Sequence, residues 1–112
     1  MAITTNAICN TFKEEVLQGE HNFAVGTGDV FKLALYTSQA TIGADTTSYT
    51  ASNEVAASGQ YAAKGGALTN AIVSVNGTTA FVDFNDLSFT GVTLTARGAL
   101  IFNTSSNDQA VA

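Results

Sequence analysis

The chain contains no proline and no tryptophan, a single cysteine, a single histidine and a single methionine, and charged residues make up only 12% of its 112 positions. Each shortage excludes something. Cys9 alone cannot form an intramolecular disulfide, so the staples that hold small secreted domains together are ruled out. One cysteine and one histidine, His21, also cannot complete a structural zinc site within the chain. Four Lys/Arg against nine Asp/Glu leave a net charge of -5, the wrong sign for neutralising phosphates, so no nucleic-acid partner is expected. No run of eighteen apolar residues occurs, and Lys13-Glu14-Glu15 interrupts the N-terminal region before it reaches signal-peptide length. No membrane or export segment is therefore expected, and a reducing cytoplasm suits the chain. Without proline, and with few lysines, strand edges lack two of the usual guards against edge-to-edge pairing, so closure of the sheet or a partner must protect them.

What is present points to one folded domain over residues 1–112: the hydrophobic fraction is 46%, well clear of the disordered class. The N-terminal segment, residues 1–20, predicts a helix from Thr4 or Thr5 to Gly19. Ile8, Phe12 and Val16 recur at four-residue spacing with Cys9 and Leu17 beside them, while Lys13, Glu14 and Gln18 take the other side. Thr5 or Asn6 is placed to cap its start and Gly19 to end it.

Past Gly19 the pattern is β. Residues 30–37 alternate, with Phe31, Leu33 and Leu35 on one face and Lys32, Ala34 and Tyr36 on the other. Residues 38–70 are poor in large apolar side chains and broken by Gly43, Gly59, Gly65 and Gly66. Residues 72–75 and 78–84 read as a hairpin joined by Asn76-Gly77 in a type I′ turn. Residues 87–90, 92–96 and 98–103 follow as short strands, with Phe89, Leu94, Leu100 and Phe102 inward. Residues 104–112 read as a C-terminal tail or the start of another strand. The expected fold is mainly β: an antiparallel β-sandwich or a jelly-roll-like small barrel with one N-terminal α-helix.

No catalytic constellation emerges. Cys9 and His21 are read as a packed thiol and a surface imidazole rather than a nucleophile and its base. Glu14-Glu15 reads as a solvated helix surface, and Asp83 with Asp86 as a strand running into a capped turn whose spacing does not match a calcium loop. Gly26-Thr27-Gly28 precedes a strand, without the Lys-Ser or Lys-Thr of a phosphate loop, and reads as a flexible turn. Neither a catalytic residue, a cofactor nor a metal is assigned. The residues singled out are Tyr36, Tyr49 and Tyr61, as contact groups with a wide face and a polar tip, and Arg97, expected to pair with a carboxylate such as Asp83 or Glu54 within the chain or across an interface.

Several segments taken together carry a resemblance: Met1-Ala2-Ile3-Thr4-Thr5 leading to Phe12-Lys13-Glu14-Glu15; Phe31-Lys32-Leu33-Ala34-Leu35-Tyr36-Thr37; Tyr49 followed by Asn53-Glu54-Val55; Gly65-Gly66 before Leu68-Thr69; and Thr95-Ala96-Arg97-Gly98-Ala99-Leu100-Ile101. Their order and spacing resemble small structural proteins of tailed bacteriophages, over nearly the whole chain. Those proteins tend to continue past the position of Ala112 with further strand-like sequence, so the sheet is expected to be completed either internally or by a neighbour. The resemblance implies a non-enzymatic virion component made in the host cytoplasm, foremost a capsid cement or decoration protein. Its implied partners are the major capsid protein and further copies of itself, as a homo-oligomer with a trimer favoured. The alternatives are a tail, neck or fibre component and a carbohydrate-binding β-sandwich that uses the Asp83–Asp86 turn.

Overall fold

The computed structural model describes residues 7–112. In chain order these form α1 (Asn10–Leu17), β1 (Phe31–Tyr36), β2 (Gly66–Leu68), β3 (Asn70–Asn76), β4 (Thr79–Phe84), β5 (Gly98–Asn103) and β6 (Gln109–Ala110). Two antiparallel sheets result, a four-stranded one in the order β2-β1-β5-β6 and the two-stranded ribbon β3-β4. The protein is mainly β with one short helix, compatible with a small sandwich. The barrel alternative fails, since among the described residues neither sheet closes on itself.

The helix is shorter than its apolar spacing predicts. The expected caps, Thr5 and Asn6, lie outside the described residues. The cap position falls on Cys9, whose side chain makes no capping bond. The first turn is satisfied from elsewhere: the Asn10 N–H donates to Ala44 O at 2.8 Å, and the Cys9 N–H to Val111 O at 2.9 Å. The C-terminus follows expectation. Glu20 N–H bonds Glu15 O and Gly19 N–H bonds Val16 O, the paired bonds of a Schellman ending, with Gly19 at φ +76°. The apolar face is not buried as a stripe, however. Ile8, Val16 and Leu17 are exposed, and only Cys9 and Phe12 reach the core. The helix is too short to lay three turns on the sheet, so residues at its ends face water.

The core lies on one face of the four-stranded sheet. Ala34 and Tyr36 of β1, Leu100 and Phe102 of β5 and Ala110 of β6 pack there with Cys9 and Ala40, and Phe12, Ile42 and Tyr49 close its margin. β1 and β5 pair over their full length, Phe31 opposite Asn103 through Tyr36 opposite Gly98, which places Ala34 beside Leu100 and brings these side chains to one face. At the Phe31 end the opposite face carries a second, aromatic cluster, in which Phe23 stacks on Phe31 at 4.4 Å and Phe84 lies 5.9 Å from Phe31.

Other expectations change at the level of elements. Of the two readings of residues 104–112, the strand holds and the tail does not: β6 pairs with β5, and Ala110 and Val111 are buried. Residues 87–97 contain no strand; they run over residues 58–66, with Thr90 O accepting from Gln60 N–H and Phe89 set edge-on to Tyr61. The hairpin is present, but its two-residue turn is Gly77-Thr78, with Asn76 paired to Thr79. Only Gly77 has positive φ, at +63°, the glycine-first pattern of a type II′ rather than a type I′ turn.

The close approach of β2 to β1 depends on Gly65. At φ +78°, a Cβ there would sit 1.9 Å from Leu33 O. Gly65→Ala is expected to cost about 3 kcal/mol or more, because it collides with strand backbone as well as straining φ. Gly19→Ala, which meets nothing within 4 Å, should lose only about 1 kcal/mol through φ. Urea unfolding of the two variants side by side measures the difference.

Candidate functional site

The three tyrosines singled out in the sequence are brought together, but inward. Tyr36 and Tyr61 are 0% and 1% exposed and Tyr49 is half-buried, so Tyr36 and Tyr61 are not the interface residues expected of them. They gather at Glu54. The Glu54 carboxylate accepts from the Tyr49 hydroxyl, from the Tyr61 hydroxyl at 2.6 Å and from the Lys64 N–H at 2.9 Å. The Tyr61 hydroxyl in turn accepts from the Leu35 N–H at 2.8 Å, on the edge of β1 between the end of its pairing with β2 at Leu33 and the bridge from Tyr36 to Glu54. Tyr36 donates its hydroxyl to Thr50 O at 2.7 Å. Lys64, at φ +74°, sends its ammonium to Asp108 at 2.7 Å and over the Tyr49 ring.

Burial, and after it the bonded carboxylate, holds Tyr49 and Tyr61 well above the ordinary phenol range; burial pushes Tyr36 up to about 12. A phenol held protonated beside a carboxylate donates hydrogen bonds and is a poor nucleophile. The cluster therefore straps the 48–64 segment to β1.

A second polar network lies at the opposite end of β1. His21 is buried, not the surface imidazole expected. Its Nε2 lies 2.9 Å from Glu15 Oε1 and its Nδ1 lies 3.0 Å from Asn103 Nδ2. The Asn103 amide is oriented by its other bonds: Nδ2 donates to Asp29 Oδ2 at 2.8 Å, and Oδ1 accepts from the Ser105 N–H at 2.9 Å. Nδ1 of His21 therefore faces a donor and must accept, which leaves the ring proton on Nε2, donated to Glu15. Cys9 is a packed thiol, as expected. Burial chiefly, and Glu15 next, raise its pKa, and its Sγ donates to Gly43 O at 3.7 Å. A thiol held protonated in this way is inert.

Arg97 immediately precedes β5, where its N–H donates to Tyr36 O at 2.7 Å, and it borders an open, mostly apolar groove with Leu33, Ile42, Ala99, Ile101 and Ala112. Glu54, one partner expected for it, is committed to Tyr49, Tyr61 and Lys64. Asp83 and Asp86 are exposed, and the described residues bring no group of three potential metal ligands together there or elsewhere. The Gly26-Thr27-Gly28 turn closes a compact loop, with the Asp29 N–H on Asn22 O at 2.7 Å and the Gly28 N–H on Ala24 O at 3.0 Å.

The most exposed apolar surface is the β3-β4 ribbon. Ile72, Val73, Val75, Phe81 and Val82 are 46%, 55%, 65%, 42% and 36% exposed. The pairings Val73 to Val82 and Val75 to Ala80 put these four on one face, while Ile72, Ser74, Phe81 and Asp83 occupy the other. Sequence reasoning missed this surface; the one trace of it there is a hairpin whose only charge is Asp83. Which residues stay uncovered depends on where the ribbon lies relative to the body.

Two outcomes test these networks. Nitrogen NMR of the imidazole at neutral pH should show the Nε2–H tautomer, and Asn103→Leu should abolish that preference. The three tyrosines are the only phenols in the chain. Their folded pKa values lie above the unfolded value near 10, so their contribution to stability is complete below that pH and is lost as pH rises through the folded values. Phenolate absorbance should stay flat between about pH 9.5 and 11 in the folded protein and then rise together with unfolding. Comparison of the chain with protein families, with curated proteins and with solved structures finds no match.

Proposed function

We propose that this chain is a non-enzymatic structural protein of a tailed-phage virion, foremost a capsid cement or decoration protein that stabilises the shell through contacts between subunits. It is made in the host cytoplasm and carried in the particle as a homo-oligomer, with a trimer favoured and the major capsid protein as its partner. One observation carries the reading: the uncovered apolar face of the β3-β4 ribbon, which stands out from a body whose own polar groups are largely committed to internal bonds. An exposed apolar surface of this kind marks a contact with another molecule. The resemblance in the order and spacing of five segments supports the phage assignment, and the low charge supports a surface that neighbours cover.

Quantitative mass spectrometry of purified particles tests it. A copy number on the order of hundreds is expected for a shell component, whereas about a dozen or fewer would move the protein to the tail, neck or a fibre. Absence from purified particles, with a stable free monomer in solution, overturns the proposal.

A further inference from the structure

The ribbon departs from what makes a hairpin stable. Two strands alone are marginal in water, and stability comes from a third strand or from a covered apolar face. Here only the root is covered. Phe84 packs against Phe23 and Phe31, at 6.2 Å and 5.9 Å between ring centroids. Asn70 Nδ2 donates to Ala24 O at 3.2 Å and Asp29 O at 3.3 Å, and the Asn85 N–H donates to Thr69 O at 2.9 Å. From Phe84 outward the same face continues through Val82 and Val73 to Ala80 and Val75 without a polar side chain, and it ends in solvent at Val75, 65% exposed. Neither strand carries a lysine or proline to guard its edge.

We infer that the Val73/Val75/Ala80/Val82 face is the contact by which this chain meets a second copy of itself. Three features select a copy over an unrelated partner. The face holds no hydrogen-bonding or charged group with which to recognise a different surface, and a row of short, mostly β-branched side chains is complementary to another such row. The ribbon's one charge, Asp83, points to the opposite face, so two copies can meet here without placing like charges across the contact, despite the net charge of -5. Two ribbons stacked face to face also form a four-stranded sandwich, which removes the deficit of a lone hairpin. The face offers four side chains per copy, far fewer than the roughly 20–30 residues a side of a standard stable complex. The association is accordingly weak in dilute solution and stronger where copies are held side by side. This deepens the assembly proposal by naming a surface through which copies meet; the contact is two-fold, so it links one trimer to the next rather than closing a trimer, and it rests on that proposal only for where the contact is used.

Sedimentation equilibrium of the full chain across a concentration series reads it directly. Wild type should show reversible self-association. Val75→Lys, at the exposed end of the face, should weaken it by about tenfold or more, because a charge would have to be buried in the contact. Val73→Asp should do the same. Phe81→Ser, on the opposite face, should change it less than about twofold. Circular dichroism keeps the comparison to folded protein, and Val75→Lys serves alone if Val73→Asp unfolds. A wild type that stays monomeric at every concentration overturns the inference, as does association indifferent to Val75→Lys or equally sensitive to Phe81→Ser. Self-association lost in the face variants, with the protein absent from purified particles, would sink the virion reading and leave this contact standing. High copy number in particles with a strictly monomeric chain in solution would do the reverse.

Discussion

Glu54 organises the irregular segment over residues 48–64 and ties it to β1. Its carboxylate takes hydrogen bonds from two tyrosine hydroxyls and a backbone N–H, all from a segment that forms almost no regular secondary structure. The Tyr61 hydroxyl stands in for a strand, satisfying the Leu35 N–H at the point where β2 has ended. Hydrogen bonds to a charged acceptor are each worth about 1.5–3 kcal/mol when their loss strands a partner, so this one side chain holds a long meander against β1. The strap is polar because the segment is rich in Ala, Ser, Thr and Gly and has little apolar area with which to hold itself down.

The network around His21 and Asn103 does the equivalent work at the other end of β1. Asn103 is fully buried in β5 and uses both ends of its amide, tying the 20–29 loop and the turn after β5 to one strand position. Both networks are closed: acceptors face donors, and neither presents an activated nucleophile beside a base. A small domain with a thin core gains a unique arrangement from such satisfied polar clusters, since misplacing any member would strand a buried group.

The surface is organised in the opposite way. The polar groups of the two networks are turned inward, and the apolar side chains of the ribbon are left outside. That inversion separates a body that specifies itself from an arm that does not complete itself, and it is the physical basis for reading the protein as a part of a larger assembly.

Local chemistry made much of the fold legible in advance. Alternation over residues 30–37 predicted β1, the turn dipeptide near Asn76 predicted the ribbon, and Gly19 predicted the end of the helix, since each depends on neighbours within a few residues. The helix face was misjudged because its periodicity ignores how few turns meet the sheet. Tyr36 and Tyr61 were expected at a contact surface and are buried, while Tyr49 stays partly exposed, because a phenol serves equally well at a surface and in a satisfied interior. Tertiary structure alone decided that Tyr36, Tyr49 and Tyr61 converge near Glu54, that His21 is buried against Asn103, and that the Val73–Val82 face is left bare. These outcomes turn on contacts between residues as much as 82 positions apart, whose geometry follows from strand order and register, and no local pattern encodes them.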